Sequence, residues 1–430
     1  MAEGVKAGRK VAWGFADQFF SSLTNFTLTI IAGHWLGPAA LGVISLGFAA
    51  YVLALVFQRA LVSEPQTVLS ANLELEGRRD VSRRTITMSL LAGGLVGAFL
   101  VVAGLLVGGP VGRGFVLFAP WIPVAMVQDV WRFILFRDGR QAAAVTNDAS
   151  WALGMLAFMP LAWLIHTDWA VVASWGLGAM TGLLLGIWQV RLAPSGLVRS
   201  ARWWRRDAWP IGRWFALDRA ASNLGTQGTV FILAPLLGAV ALGGLKATNS
   251  VFAPLSVLGP AITLPGLPSM TRAFHESPRL ARSMALRLSL TVAGLTAVYT
   301  VLLASGGGRA LTFLFGHRFT RFTPLIVPTA AGQLMAAVGI GFIIMLKASK
   351  RGRSLVLAHV LSTAGTLIVT PILAVSAGVT GAAWGLAIGY GLESLFVTWF
   401  ALSLREDRRK ATQGTPGSIG AWVAGSGARR

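Results

Sequence analysis

The chain repeats its own sequence pattern at half its length, and this duplication limits the folds open to it more than any other feature. Residues 37–42, GPAALG, return 201 positions later as residues 238–243, GAVALG. Further along, residues 175–177, WGL, return as residues 384–386. A repeat on this scale indicates two structurally equivalent units that pack against each other. We therefore expect two halves related by pseudo-symmetry.

Each half consists mostly of long apolar runs. Hydrophobic residues make up 54% of the 430 positions, charged residues only 12%, and the mean hydropathy is +0.66. These values lie outside the range of soluble domains. A helix needs about 20 apolar residues to cross a bilayer. Twelve runs reach this length, at 11–35, 38–62, 86–108, 114–136, 142–165, 169–190, 211–235, 238–264, 287–306, 322–346, 354–376 and 379–403.

Six runs fall in each half, and an even number per half gives both halves the same orientation in the membrane. The predicted fold is an all-α polytopic membrane protein with twelve transmembrane helices in two six-helix pseudo-symmetric lobes around a central cavity. We place the N-terminal lobe at 1–191, a cytoplasmic amphipathic connector at 192–210, the C-terminal lobe at 211–404 and a disordered basic tail at 405–430. The tryptophans and arginines of the connector are typical of a segment on the inner leaflet.

The net charge of +21 is compatible with nucleic-acid binding, but the positions of the cations argue against it. With these spans, most lysines and arginines lie at the N-terminus, in the loops after even-numbered helices and in the C-terminal tail. This distribution follows the positive-inside rule and places both termini in the cytoplasm. Heavy use of Ala, Gly and Arg is typical of a GC-rich bacterium. We predict a multi-pass protein of a bacterial cytoplasmic membrane, in contact with membrane lipids and with no nucleic-acid partner.

Polar residues inside the apolar runs are the first candidates for function, because an ionisable group at membrane depth costs roughly 2.5–3.5 kcal/mol to insert. The first and seventh helices carry matching polar stripes at positions i, i+4 and i+8, which lie on one helical face. These stripes are Asp17, Ser21 and Asn25 in the first half and Asp218, Ser222 and Thr226 in the second. A stripe present in both halves should face the space between them.

The two halves differ in their cations. Lys246 and Arg219 of the second half stand where the first half has Ser45 and Gln18. Lys246 is the strongest candidate for substrate binding, because helix rise places it about 12 Å from the outer boundary, too deep for easy snorkelling. Asn249 follows close behind it on the same helix.

Arg59 and Arg132 complete the set of candidate cations, with Asp129 one helical turn before Arg132. Both arginines could instead extend to the inner membrane surface, or the charges could neutralise one another. The possible pairs are Asp129 with Arg132, and Asp17 or Asp218 with Arg219. Four cations and three acids still favour a hydrated, net-cationic cavity. Such a cavity suits a phosphate or pyrophosphate group.

Two further acids have other interpretations. Asp148, near the inner end of the fifth helix, is interpreted as an interfacial residue, and Glu393 in the twelfth helix fits either proton coupling or a structural hydrogen bond. The sequence contains no phosphate-binding loop, no zinc-protease motif and no cysteine. We therefore expect no enzyme activity, no metal site and no cofactor, apart from possible coupling to protons or sodium.

Three features carry a family resemblance: the LGPAALG turn at 36–42, Arg59 followed by Glu64 and Pro65, and a basic loop between helices four and five. In a chain of six plus six helices, this pattern resembles Wzx-type polysaccharide flippases of the multidrug/oligosaccharidyl-lipid/polysaccharide superfamily. The resemblance covers essentially the whole chain and is strongest over residues 11–70.

The resemblance implies two lobes that form a V around a cationic cavity, and export of a polyprenyl-pyrophosphate-linked oligosaccharide for cell-surface polysaccharide biosynthesis. It implies that the pyrophosphate is held by Arg59, Arg132, Arg219 and Lys246, and that a coupling cation is sensed by Asp17 and Asp218. We expect a monomer that works with a polysaccharide polymerase and glycosyltransferases. The chain departs from the family at His34 and Trp35, where an arginine often precedes the turn. It also lacks the two extra helices of lipid II flippases, which argues against lipid II as the cargo.

Two other function classes stay open. A multidrug-extrusion antiporter driven by protons or sodium would share the helix pattern, but a cavity for cationic drugs usually has an acidic excess. A membrane glycan polymerase or ligase would act on the same lipid-linked donor, but would need a sizeable outward loop with catalytic residues. The loops between the predicted helices are short, so the flippase is the leading hypothesis.

Overall fold

The computed structural model describes residues 22–349 and 352–403, and this part of the chain contains helices and no β-strand. Asp17, Ser21 and the basic tail lie outside the described residues. We number the helices in chain order as α1 (22–36), α2 (Pro38–Leu69), α3 (Leu75–Val107), α4 (Gly109–Arg137), α5 (Gln141–Ile165), α6 (Asp168–Val190), α7 (209–237), α8 (239–276), α9 (Pro278–Phe315), α10 (His317–Ala348), α11 (352–376) and α12 (379–402).

The apolar helices confirm an all-α, multi-pass membrane protein. Nine continuous helical segments within the described residues are long and apolar enough to cross a bilayer. Two of them, Leu197–Val251 and Gly352–Leu402, contain sharp kinks at Gly238 and Gly378 and therefore cross more than once. The connector holds a short helix, Leu197–Trp203, that runs on into α7. The lobe boundaries predicted above stay a prediction.

The duplication is visible in the backbone at the turns from α1 to α2 and from α7 to α8. Gly37 has φ 87° and ψ −176°, and its repeat partner Gly238 has φ 77° and ψ 169°. A positive φ is strained for any residue with a Cβ atom, so each turn requires glycine. The two halves therefore reverse direction at equivalent positions by the same local geometry.

The halves pack against each other along α2 and α8 at the end that carries these turns. A Cβ atom placed on Gly42 would lie 1.8 Å from the carbonyl oxygen of Ala239, and one on Gly243 would lie 1.9 Å from that of Pro38. At the repeat offset of 201 positions, Gly42 corresponds to Gly243 and Pro38 to Ala239. The two contacts are therefore equivalent, with the two halves exchanged. The pseudo-symmetry axis therefore passes between α2 and α8 at this point. We call this the outer end, and the opposite end the inner end, after the positive-inside orientation, which stays a prediction.

A cluster of aromatic rings supports α2 inside the first half. Trp175 of α6 is fully buried, and Tyr51 packs edge-on against it with ring centroids 4.9 Å apart. Phe48, Phe118 and Trp151 also contact Trp175 at centroid distances of 5.3–6.5 Å. Packing of this kind holds α2 in one rotational position. It determines which face of α2 is left to line a cavity.

At the inner end, α7 and the connector pack on the last turns of α2. Trp204 donates an indole hydrogen bond to the carbonyl oxygen of Leu61 at 3.0 Å, and Trp203 is buried. Gly212 of α7 leaves just enough room for the backbone at Ala60, 3.0 Å from a Cβ atom built at that glycine. The connector arginines Arg205 and Arg206 are exposed. This segment is therefore amphipathic, and its aromatic face contacts protein.

Candidate functional site

Charged side chains line a cavity of about 190 Å³ inside the first half. The face of α2 that borders it consists of residues 48, 51, 52, 55, 56 and 59, a spacing that keeps all six on one side of a helix. The other lining residues are Thr24 and Asn25 of α1, Gln128, Asp129 and Arg132 of α4, and Asp148 and Trp151 of α5. The structure thus brings Asn25, Arg59, Asp129 and Arg132 from the predicted site into one cavity.

Arg59 and Asp129 form the most closely bound pair in this cavity. Arg59 donates from Nε to Oδ2 of Asp129 at 2.9 Å and from Nη2 to Oδ1 at 2.5 Å. Two parallel bonds of this kind fix the plane of the guanidinium as well as its position. Asp129 is 2% exposed, whereas the Arg59 side chain is 31% exposed. A π-helical turn begins at Arg59, as often occurs at functional sites.

Arg132 lies between two acids. Its Nη1 is 3.5 Å from Oδ1 of Asp129, and its Nε is 3.4 Å from Oδ2 of Asp148. Gln128 donates from Nε2 to Oδ1 of Asp148 and to Oδ1 of Asn147, both at 2.9 Å. The interpretation of Asp148 as interfacial is wrong, because it is only 4% exposed and these α4 partners hold it in the cavity. Sequence reasoning missed this pairing because α4 and α5 must be packed before it exists.

Lys246 reaches the edge of the cavity from the second half. Its Nζ lies 5.1 Å from the centre of the Phe48 ring, within the range of a cation–π interaction. Phe48 is itself a wall of the cavity. Asn249, further along α8, is exposed and does not line this cavity. Lys246 is therefore the residue by which the second half contributes charge here.

Arg219 lies elsewhere. It pairs with Glu64 of α2, with Nη2 and Oε1 2.7 Å apart, and its side chain is 47% exposed. Among the described residues Asp218 forms no ion pair with Arg219, and the other predicted partner, Asp17, lies outside them. The Arg219–Glu64 pair joins the two halves at the inner end of α2. It does not join Arg59 and Arg132 in the cavity.

These placements change which residues determine the charge of the cavity. Within the cavity, two arginines face two aspartates, so the lining of the first half is neutral. Lys246 adds one positive charge at the edge. The cavity is therefore cationic by a single charge, the same net charge that the four predicted cations and three predicted acids would give, but it comes from a different set of residues.

A smaller polar cavity of about 30 Å³ lies in the second half between α7, α11 and α12. Ser222 and Thr226 of the α7 stripe line it together with His359 and Glu393. His359 Nε2 and Glu393 Oε1 are 3.5 Å apart. Asp218 is half-buried one turn before Ser222. Glu393 thus has an ionisable neighbour, which the sequence alone did not provide.

Neither cavity has the ligands of a metal site. Within residues 22–349 and 352–403, no three side chains of His, Cys, Asp or Glu are grouped closely enough to hold a metal ion. The arrangement is suited to binding charged groups. It consists of the Arg59–Asp129 pair, of Arg132 between Asp129 and Asp148, and of Lys246 from the opposite half.

Comparison with known proteins gives the fold. No protein-family profile and no curated protein sequence matches the chain. Among solved structures, it is similar to an inward-facing multidrug resistance MATE family transporter of the MOP superfamily, with a TM-score of 0.73, 12% identity, and 91% of this chain and 96% of that chain covered. It is similar to the lipid II flippase MurJ in an inward closed conformation, with a TM-score of 0.70, 12% identity, and coverage of 95% and 94%.

A third similar structure is a MOP superfamily transporter from Pyrococcus furiosus, described as having a binding pocket of reverse polarity. Its TM-score is 0.60 at 14% identity, with 95% of this chain and 96% of that chain covered. At such low identity, these similarities establish the twelve-helix, two-lobe fold of MOP transporters and nothing finer. The fold expected from the sequence is confirmed.

Proposed function

We propose that the protein is a flippase that moves a polyprenyl-pyrophosphate-linked oligosaccharide from the inner to the outer leaflet of a bacterial cytoplasmic membrane. Its partners would be the lipid-linked substrate and the enzymes that make and polymerise the glycan. The two lobes would rock against each other so that the cavity opens to one side at a time, and the α2–α8 contact would separate when the outer end opens. This function requires no covalent step by the protein.

The preoriented guanidinium of Arg59 is the first support for this proposal. Asp129 holds it through Nε and Nη2, and among the described residues Nη1 has no protein acceptor. A guanidinium already fixed in place loses little entropy when it binds an anion, and its planar donors match phosphate oxygens. Arg132 stands beside it, so a pyrophosphate can contact two arginines at once.

The position of Lys246 carries the proposal. Arg59 and Phe48 are eleven residues apart on α2, or about 16 Å by helix rise. Lys246 lies over Phe48, so the cavity wall has a cationic group at each end of this distance. An anionic headgroup that leaves Arg59 near the inner end of α2 can therefore meet Lys246 further toward the outer end. A cationic drug would meet repulsion from Lys246.

The opposite face of α2 provides an apolar surface for a lipid tail. Residues 50, 53, 54, 57, 58 and 61 border a groove of about 590 Å³ that α3 completes and that is almost entirely apolar. Cavity and groove thus lie back to back on one helix, because their lining positions have the same spacing and are offset by two residues. A lipid-linked substrate needs both a polar path for its headgroup and an apolar surface for its prenyl chain.

The second candidate is a proton- or sodium-coupled multidrug antiporter. It is favoured by the shared fold and by the His359–Glu393 pair, which could exchange a cation. Coupling of either transporter would use this pair, Asp218 or Asp17. Asp17 lies outside the described residues, so its role rests on the sequence stripe.

The test is leaflet exchange of a fluorescent polyprenyl-pyrophosphate-linked sugar in liposomes that contain the purified protein. We expect Lys246→Ala to slow exchange at least tenfold, because a charge-assisted hydrogen bond contributes about 1.5–3 kcal/mol. Lys246→Arg should retain most activity. Arg287→Ala, at an exposed arginine of α9, is the control for loss of charge. Gradient-driven uptake of cationic dyes without lipid exchange would favour the antiporter.

A further inference from the structure

Four arginines line a separate cavity of about 390 Å³ at the inner end of the first half. Arg79 and Arg83 come from the start of α3, one turn apart, Arg140 from the turn before α5, and Arg191 from the end of α6. We call this cavity the arginine pocket. No acidic residue lines it. It is distinct from the charged cavity beside α2 and shares no lining residue with it.

No acid in the lining of the arginine pocket balances its charge, although Arg79 and Arg83 also border a neighbouring cavity with Glu74, Glu76 and Asp80. Asp80 is the nearest acid in sequence, but it pairs with Arg84 and with Arg199. Within the described residues, none of the four pocket arginines forms an ion pair. The four arginines are exposed, so water screens their mutual repulsion, and a bound anion would reduce it further. The pocket is therefore complementary to an anionic group.

Two of the arginines are held in place by the last turn of α6. Arg140 donates from Nη1 to the carbonyl oxygen of Gln189 at 2.8 Å, and Arg191 donates from Nε to that of Trp188 at 3.2 Å. Arg191 has a left-handed backbone with φ 53° and lies 5.7 Å from the centre of the Trp188 ring. These contacts cap the helix. They involve only one donor atom of each guanidinium, so both can also bind an anion.

The surroundings of the pocket indicate a lipid rather than a soluble anion. Arg140 and Arg191 lie just beyond the ends of two membrane spans, Gly109–Arg137 and Asp168–Val190. Trp188 is 65% exposed beside them, as is typical of an aromatic ring at the membrane interface. Basic pockets between transmembrane helices on the cytoplasmic side bind the head groups of anionic lipids. The pocket combines these two features.

We propose that the arginine pocket binds the phosphate group of an anionic lipid in the inner leaflet. Two sources have this chemistry: a resident phospholipid such as phosphatidylglycerol, and a polyprenyl pyrophosphate on its way to the central cavity. The proposal does not depend on transport of either lipid. It assigns a lipid-binding role to residues that the flippase mechanism does not use.

Native mass spectrometry of the full-length protein with added lipids tests this proposal. The variant Arg79→Gln/Arg83→Gln removes two pocket charges that have no partner in the described residues, so folding should be unaffected. A basic residue near an anionic membrane lipid contributes roughly a fivefold gain in affinity, so this variant should bind phosphatidylglycerol about 25-fold more weakly. The matched control Arg205→Gln/Arg206→Gln removes the same charge from the exposed connector and should change binding less than threefold.

Phosphatidylcholine and inorganic pyrophosphate complete the test. Wild-type protein should bind phosphatidylcholine no more tightly than the pocket variant binds phosphatidylcholine, because this lipid has no net charge. The proposal would be overturned if the pocket variant and the connector control lost the same affinity for phosphatidylglycerol. It would also be overturned if wild-type protein bound phosphatidylcholine as tightly as phosphatidylglycerol, or inorganic pyrophosphate as tightly as the anionic lipids. Competition with polyprenyl pyrophosphate identifies the source, because displacement of phosphatidylglycerol assigns the pocket to the substrate lipid and retention assigns it to the phospholipid.

Discussion

Substitution of Gly42 by alanine should force the two halves apart at their outer end. A Cβ atom at this position would lie 1.8 Å from the carbonyl oxygen of Ala239, whereas contacts below 3.0 Å are essentially never seen. The backbones must therefore separate by at least 1.2 Å, the difference between these two distances. No flexible side chain can absorb this displacement, because the opposing atom belongs to the backbone of α8. The same reasoning applies to Gly243→Ala, which would meet the carbonyl oxygen of Pro38 at 1.9 Å.

Overpacking of this kind costs about 1–3 kcal/mol. If the cost applies only to the state in which the outer ends touch, it shifts the equilibrium toward the separated state by roughly 5- to 150-fold. We expect both glycine variants to populate an outward-open state and to do so to a similar extent, because the repeat relates their contacts. Wild-type protein should remain mostly closed at this end.

Distances between spin labels measure this shift directly. The chain has no cysteine, so labels can be placed at Trp163→Cys and Phe313→Cys, two exposed positions at the outer ends of α5 and α9. The label distance should lengthen in Gly42→Ala. Gly94→Ala is the matched control, because a Cβ atom there has no neighbour within 4 Å. Unchanged distances in both variants would refute the claim that this contact closes the outer end.

Two further predictions concern the ion pairs. Asp129→Asn leaves Arg59 without its buried partner, so we expect a loss of about 3 kcal/mol in unfolding free energy. The double variant Asp129→Leu/Arg59→Met should recover most of it in thermal unfolding, and a double variant no more stable than Asp129→Asn would contradict this account. Exchange of the charges in Glu64→Arg/Arg219→Glu should restore transport that Glu64→Arg alone reduces. The single and the double substitution should each change the free energy of unfolding by about 1 kcal/mol or less, since the pair is partly exposed. Transport in the exchanged variant as low as in Glu64→Arg would argue against the pair.

The sequence predicted those features that local rules determine. The turns at Gly37 and Gly238 follow from a backbone that only glycine adopts without strain, so their positions could be read from the repeat. The Asp129–Arg132 pair follows from helical spacing and is present at 3.5 Å. Contacts between distant segments were not predictable in this way. The closest partner of Asp129 is Arg59, seventy positions earlier, and this contact depends on how α2 packs on Trp175.

The misplacement of Arg219 has the same origin. Helical spacing limits its partners on α7 but contains no information on Glu64, which lies 155 positions away on α2. Lys246 was singled out by its depth in the membrane, yet its contact with Phe48 depends on the crossing of α2 and α8. The sequence thus identified residues that bear charge, and only the packing of helices showed which charges share a cavity.

The asymmetry between the halves indicates how a duplicated scaffold acquires one binding path. Lys246 corresponds to Ser45 in the first half, and Ser45 donates its hydroxyl to the carbonyl oxygen of Leu41 at 2.6 Å, within its own helix. Arg59 in turn corresponds to Pro260, which cannot bear charge. Neither cation has a counterpart across the pseudo-symmetry axis, so the path past Phe48 exists once per molecule. Because Lys246 belongs to α8 and Arg59 to α2, rocking of the halves must change the distance between these two cations, whereas contacts within one half stay fixed. In the proposed flippase, release of an anion from Arg59 to Lys246 would therefore be linked to the motion itself.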